Sequence, residues 1–114
     1  MRAADIFKAL SDETRLRIVN LLAKRRSMAV SDLVAALNMP QWHISRHLSR
    51  LRQIGLVDST RRGTWMYYSL RDELREVVRR VIAAVQERID ENTIAADLRR
   101  LREVLNRRRG AAMP

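Results

Sequence analysis

The spacing of apolar residues changes twice along this chain of 114 residues, and this change restricts the folds that it can adopt. From Ala3 to Ile54 apolar residues recur every three or four positions, which is the period of amphipathic helices. From Val57 to Ser69 they alternate as in a strand, and from Leu74 onward the helical period returns. Three Gly and two Pro leave little room for long loops. The sequence therefore predicts a mainly α protein with one small β-hairpin.

Three short helices are predicted in the first third of the chain. The first helix covers Ala3 to Leu10, and the second is capped by the polar group Ser11 to Glu13. Met28 to Val30 is predicted as a short extended piece. Ser31 and Asp32 are then expected to cap the third helix, because both side chains accept hydrogen bonds from backbone N–H groups.

A tight turn and a fourth helix follow. Asn38 to Pro40 is too short for anything but a turn, and Pro40 suits the start of a helix. The fourth helix is predicted over Gln41 to Ile54, with one apolar face formed by Ile44, Leu48 and Leu51. Gly55 is expected to end it in the left-handed conformation.

The alternating segment is predicted to form a hairpin with a basic tip. Its strands cover Val57 to Arg61 and Thr64 to Ser69, and they meet at Arg62-Gly63. A helix, a short turn, a second helix and such a hairpin follow one another in the winged helix-turn-helix layout, in which the second helix enters the major groove of DNA. The predicted fold class is therefore a mainly α winged helix-turn-helix with a small β-hairpin wing.

The charge of the chain favours a polyanionic partner. The net charge is +10 and the isoelectric point is about 11.5, and every basic residue except Lys8 and Lys24 is Arg. Arg is the side chain that pairs best with phosphates and guanine edges. The segment from Arg46 to Arg62 holds five Arg and one carboxylate, Asp58, so positive charge concentrates where a recognition helix and a wing would meet a duplex.

The outward positions of the fourth helix and the hairpin tip are the candidate DNA contacts. The predicted base contacts are Gln41, Trp42, His43, Ser45 and Arg46, and the predicted contacts to the DNA backbone or through the wing are His47, Ser49, Arg50, Arg61, Arg62 and Gly63. Four of these residues have a plainer alternative. Trp42 is also compatible with a core position, His47 with simple packing, and Arg61 and Arg62 with a solvated turn.

Other classes of function find little support. Without Cys there is no thiolate metal site and no thiol nucleophile. His43 and His47 lie one turn apart, but no third ligand lies near them in the sequence, so we predict no metal site. The sequence also has no Gly-rich phosphate loop, no His with a plausible acid-base partner and no paired carboxylates in a pocket-forming context, so we predict neither an enzyme nor a cofactor. Because no apolar run approaches about 18 residues, we expect a cytoplasmic protein without membrane contact.

The last third of the chain is predicted to be helical. An apolar stripe runs from Leu74 to Ile89, changes phase at Asp90 to Thr93 and resumes from Ile94 to Leu105, which indicates a kink or a separate last helix. The first stripe is too apolar to remain in water and favours a partner. We expect one domain over residues 1–114, with N-terminal helices at 1–26, a helix-turn-helix at 31–55, a wing at 56–70 and dimerisation helices at 71–110.

The sequence resembles the ArsR/SmtB-type metal- and arsenic-responsive transcriptional regulators. The resemblance lies in Phe7 to Ile18, in Ile44 to Leu48 with Leu51-Arg52 and Gly55 to Val57, and in Arg62 to Tyr68. Ala96 to Leu105 looks like the ending of some arsenic-type members.

The resemblance implies a homodimeric repressor that occupies a near-palindromic operator in double-stranded DNA until an effector releases it. It also implies dimerisation through the first helix and the helix after the wing. The implied dimer residues are Ile6, Phe7, Leu74, Val78, Val81, Ile82, Val85 and Ile89.

Three departures from the family concern its sensing chemistry and its helix entry. The Cys-Val-Cys pair of arsenic-type members is replaced by Ala29-Val30-Ser31, and residues 71–109 hold no His for a metal site of the other type. Pro40 stands where a capping Ser or Thr is usual. The substitutions at Ala29 and Ser31 are compatible with a natural change or with an engineered one. An effector or a protein cofactor that the sequence does not identify would then supply the signal.

Two other functions remain open at this point. The net charge alone is compatible with a nonspecific architectural or RNA-binding protein, whose affinity would depend on salt but not on sequence. The apolar stripes are compatible with an interaction module that binds a different protein chain.

Overall fold

The structure is a computed structural model that describes residues 1–112, with side chains described as far as Arg108. Its helices and strands run in the order α1 (Ala3–Ala9), α2 (Glu13–Lys24), β1 (Met28–Ala29), α3 (Val30–Leu37), α4 (Gln41–Ile54), β2 (Val57–Arg62), β3 (Trp65–Leu70), α5 (Asp72–Val85) and α6 (Glu91–Ala112), with a 3-10 turn at Gln86–Arg88.

The predicted helix-turn-helix and wing are confirmed. α4 has the predicted bounds, and Gly55 ends it with a φ of 95°, a conformation that glycine adopts without steric cost. Asn38 also adopts the left-handed conformation, with a φ of 54°, and so reverses the chain between α3 and α4.

Two local predictions are wrong at their boundaries. α3 begins at Val30 and its N-cap is Ala29, so Ser31 and Asp32 lie inside the first turn rather than capping it. The reason is that Ala29 pairs with Tyr67 in the sheet, so the helix starts directly after the strand. The hairpin turn consists of Gly63 and Thr64, one residue later than predicted, because Arg62 still pairs with Trp65.

The sheet has three antiparallel strands in the order β1-β3-β2. Residues opposite each other in an antiparallel pair share a face, so Thr60, Tyr67 and Ser69 lie on one face, and Tyr68 and Leu70 lie on the other. Leu70 is buried and Tyr68 packs against the core, which places the second face on the helices.

One hydrophobic core joins the helices and the inner face of the sheet. Ile18 of α2, Leu33 of α3, Val78 of α5 and the apolar face of α4 are completely buried in it. Because Ile44, Leu48 and Leu51 all have zero exposure, the core sets the rotation of α4 about its axis and thereby decides which of its side chains face outward.

The last third of the chain forms two helices rather than one kinked helix. The 3-10 turn at Gln86–Arg88 ends α5. The Asp90 carboxylate then accepts hydrogen bonds from the Asn92 backbone N–H at 3.1 Å and from the Thr93 hydroxyl at 3.2 Å, which starts α6. α6 lies along α3.

A buried ionic cluster holds α6 against α2 and α3. The Asp97 carboxylate is fully buried and accepts hydrogen bonds from the Arg17 and Arg100 guanidiniums at 2.8–2.9 Å. The same guanidiniums donate to the last carbonyls of α3, from Arg17 to Leu37 at 3.1 Å and from Arg100 to Ala36 at 2.7 Å. The hydrogen bond to Asp97 raises the pKa of Arg17 above its ordinary value. The cluster thus satisfies helix-end carbonyls directly before the turn into α4.

Candidate nucleic-acid interface

Five of the predicted DNA contacts on α4 have exposed side chains. They are Gln41, Trp42, Arg46, Ser49 and Arg50. Trp42 is 65% exposed, so the alternative of a core position does not hold for it. Gln41 and Trp42 are the first two residues of α4, so their exposed side chains lie at its N-terminal end.

The remaining predicted contacts on α4 are half-buried. Ser45 is partly covered, and the His43 Nε2 atom lies 3.4 Å from the Thr14 hydroxyl of α2. The His47 side chain is only 14% exposed, and its Nδ1 atom lies 3.7 Å from an Asp12 carboxylate oxygen. These two imidazoles, whose ring centroids are 4.9 Å apart, therefore pack between α4 and the start of α2.

A groove beside the imidazoles adds a residue that the sequence reasoning missed. The groove has a volume of about 670 Å³ and lies between the start of α2 and the outer side of α4. Arg15, Arg46 and Arg50 line it together with the single carboxylate Asp12, which leaves two positive charges in excess. Such a groove suits DNA phosphates.

Arg15 is held in place by its surroundings. Its Nε donates to the Ala9 carbonyl at 2.7 Å, and its Nη1 lies 3.5 Å from the His47 Nδ1 atom. No local pattern separates Arg15 from its neighbours Arg17 and Lys24 on α2. Only the packing of α2 against α4 shows that Arg15 lies at the groove while Arg17 reaches α6.

The wing presents exposed residues at its tip. Arg61, Arg62 and Gly63 are all exposed, and Trp65, which the sequence reasoning did not select, is 56% exposed beside them. The Arg62 guanidinium lies over the Tyr67 ring, 4.6 Å from its centroid. This cation–π contact holds Arg62 against the outer face of the sheet.

The residues that the family resemblance implied for the dimer divide into two groups. Ile6, Val78, Ile82 and Ile89 are at most 7% exposed and pack inside this chain, so they are not part of its apolar surface. Leu74, Val81 and Val85 are half-buried, and Phe7 is 62% exposed. Val77, which was not selected for the dimer, is 42% exposed on α5. The exposed large apolar side chains of α1 and α5 are therefore those of Phe7 and Val77.

Within residues 1–112, no group of three or more His, Cys, Asp and Glu side chains is placed to hold a metal ion. Over the same part of the chain, no helix combines the length and the apolar character that a membrane span requires.

We expect His47 to make the stability of the fold depend on pH. Burial lowers the pKa of His47 below its ordinary value of 6.5, although the nearby Asp12 carboxylate opposes this. A histidine with a lowered pKa in the folded state gives stability that is complete above pH 6.5 and is lost as the pH falls through the folded value. In urea titrations, the His47→Gln variant should therefore lose less stability on acidification below pH 6.5 than the wild type.

The His43→Gln variant is the control. It keeps His47 and its burial, which is the largest cause of the lowered pKa, and removes only the smaller effect of the His43 charge, so it should keep most of the acid-dependent loss. An identical loss in the wild type and in His47→Gln would contradict this role of His47.

Comparison with known proteins finds matches to transcriptional regulators. The family model described as "Bacterial regulatory protein, arsR family" matches residues 12–59. An uncharacterized HTH-type transcriptional regulator of Methanocaldococcus jannaschii is 43% identical over 81 residues, which cover 70% of this chain and 91% of the relative. An arsenic resistance transcriptional regulator of Pseudomonas putida is 35% identical over 99 residues, which cover 87% of this chain and 77% of the relative.

Solved structures share the architecture. The homodimeric winged helix-turn-helix DNA-binding domain of a possible ArsR-family transcriptional regulator from Mycobacterium bovis superposes with a TM-score of 0.62. It is 37% identical, and the match covers 78% of this chain and 79% of that domain. The transcriptional repressor BigR from Xylella fastidiosa superposes with a TM-score of 0.65 at 26% identity. The match covers 72% of this chain and 80% of the BigR chain.

Proposed function

Because this chain belongs to the arsR family of bacterial regulatory proteins, we propose that it is a homodimeric repressor that binds a near-palindromic operator in double-stranded DNA. The chain is a winged helix-turn-helix transcriptional regulator, like its relatives. The observation that carries the proposal is the exposed row on α4 beside a groove with excess positive charge. The α4 row suits the reading of bases, and the groove suits phosphates of the same duplex.

The residues take separate roles in this proposal. Gln41, Trp42 and Arg46 read base edges, with His43 and Ser45 beside them, because the start of a recognition helix enters the major groove. Arg15 and Arg50 hold phosphates through the groove, with Ser49 on the outer side of α4 and His47 as a packing residue. Arg61, Arg62 and Gly63 contact the backbone or the minor groove from the wing.

The repressor proposal is tested by selective binding to DNA. A labelled duplex from the region upstream of the protein's own gene is followed by fluorescence anisotropy and competed with a scrambled duplex across a salt series. A repressor should prefer its own duplex and lose affinity steeply with salt. If several upstream and scrambled duplexes compete equally, the second candidate, a nonspecific architectural protein favoured by the net charge of +10, replaces the repressor.

We expect the outer side of α5 to carry the dimer contact, with an effector or a protein cofactor acting on the assembled dimer. The Val77→Asp variant places a charge on the exposed apolar surface and should weaken dimerisation roughly tenfold or more. Sedimentation equilibrium measures the dissociation constant. Ala95→Asp is the matched control, since Ala95 is exposed on α6 and outside this surface. If the two variants raise the dissociation constant of the dimer equally, or if neither raises it, the outer side of α5 does not carry the dimer contact.

A further inference from the structure

A small polar cavity lies between the outer face of the sheet and the first turn of α5, and it shares Arg62 with the proposed DNA-binding face. Its volume is about 180 Å³. Thr60 and Ser69 contribute hydroxyl groups from the sheet, and Tyr67 lies between them. Arg26 and Ser27 reach it from the segment before β1, and Asp72 and Arg75 reach it from α5.

The cavity carries excess positive charge. Three guanidiniums, those of Arg26, Arg62 and Arg75, line it together with one carboxylate, that of Asp72. The only ion pair among them joins the Arg26 Nη2 atom to an Asp72 oxygen at 3.8 Å, and both side chains are at least 80% exposed. An exposed pair at this distance contributes little, so most of the positive charge of the cavity is uncompensated within the described chain.

Arg75 and Arg62 are held at the wall of the cavity by other contacts. Arg75 donates to the Leu22 carbonyl at 3.4 Å and to the Arg26 carbonyl at 3.1 Å, and its buried Nε–H has no acceptor among the described residues. Arg62 lies over the Tyr67 ring. Neither guanidinium is paired with a carboxylate in the described chain, so both remain able to attract an anion.

The lining selects the kind of anion. Guanidinium and hydroxyl groups donate hydrogen bonds to several oxygens of one tetrahedral group, which is how proteins hold phosphate. The cavity is far smaller than the 300–1,000 Å³ that drug-sized ligands usually occupy, and its lining is mostly polar. Its size and chemistry therefore fit a single phosphate group rather than a large organic molecule.

We propose that this cavity binds a phosphate-type oxyanion between Arg26, Arg62 and Arg75, with the Thr60 and Ser69 hydroxyls completing the site. The site spans the wing, α5 and the segment before β1, so an anion there connects three parts of the fold. On the proposed function, Arg62 also contacts DNA. An anion that holds Arg62 against the sheet therefore lowers the affinity for DNA, and DNA lowers the affinity for the anion by the same factor.

Calorimetric titration of inorganic phosphate into the DNA-free protein tests the site, with chloride used to keep the ionic strength constant. The wild type should bind phosphate saturably, and Arg26→Gln should bind roughly tenfold more weakly, since it loses one charge-assisted contact. Arg25→Gln is the matched control. It removes the same charge from the neighbouring exposed residue, which does not line the cavity, and should bind like the wild type.

Two results would overturn the proposal. One is the lack of saturable phosphate binding by the wild type, and the other is an equal loss in Arg25→Gln and Arg26→Gln, which would indicate general charge attraction only. Thr60→Val provides a second variant that removes a hydroxyl without changing the charge, and it should also weaken phosphate binding. Melting temperatures without phosphate verify that each variant is folded.

A second arm separates free phosphate from a backbone phosphate of DNA. Binding to the preferred duplex is measured in phosphate-free buffer. If Arg25→Gln and Arg26→Gln lose the same small amount of affinity for the duplex, a free anion is the occupant of the site. If Arg26→Gln loses more affinity for the duplex than Arg25→Gln, the same site takes a DNA phosphate. The wild type could bind no duplex selectively while Arg26→Gln still binds phosphate more weakly than Arg25→Gln. In that case the proposed repressor function fails and the oxyanion site stands.

Discussion

Replacing Asp97 with Ala is expected to lower the free energy of unfolding by about 3–5 kcal/mol, the range for removing one partner of a buried ion pair. Asp97 has no exposed surface and binds both the Arg17 and the Arg100 guanidiniums. Without the carboxylate, two positive charges stay close together in a region of little solvent. The Arg17 side chain is only 12% exposed, so water cannot replace the lost partner well.

Urea denaturation measures this loss directly. Glu103→Gln is the matched control, because Glu103 is exposed on the same helix and its change should alter stability by less than about 0.5 kcal/mol. Asp97→Asn keeps the shape of the side chain but not its charge, and its loss of stability should lie between those of Asp97→Ala and Glu103→Gln. If Asp97→Ala cost no more than Glu103→Gln, the cluster would contribute nothing to the docking of α6.

Replacing Arg46 with Ala is expected to weaken binding to the preferred duplex by about 1–3 kcal/mol, the range for one lost base contact. Arg46 is exposed on the outer side of α4 and lines the groove that we assign to DNA. A base contact also carries sequence information, so the preference over a scrambled duplex should shrink. Arg62→Ala should instead weaken binding to all duplexes alike, because a backbone contact does not depend on sequence.

Arg52→Ala is the control for the loss of charge alone. Arg52 is exposed in the last turn of α4, away from the N-terminal end of the helix that we propose to enter the major groove of DNA. Competition anisotropy at one salt concentration compares the three variants. An operator footprint that persists unchanged in Arg46→Ala would show that the assignment of this residue to base contact is wrong.

Local patterns were sufficient for the elements that carry the proposed DNA contacts. The bounds of α4 follow from the spacing of Ile44, Leu48 and Leu51 and from Gly55 behind them, and the structure has these bounds. Local patterns failed at Ser31 and Asp32, because pairing of Ala29 with Tyr67, far away in sequence, decides where α3 begins. Asp32 instead pairs with Arg108 of α6 at 2.9 Å.

The sequence by itself determined the helix-turn-helix, the wing and the exposed part of the predicted row on α4, since the hydrophobic period and the capping residues act over a few neighbours. Only the tertiary structure decided the contacts between distant segments. It brought Arg17 to Asp97, 80 residues apart, placed Arg15 at the groove with Arg46, and buried Val78 and Ile82 inside the chain. Such contacts depend on how helices pack, and the periodicity of one helix does not specify which neighbour will cover its apolar face.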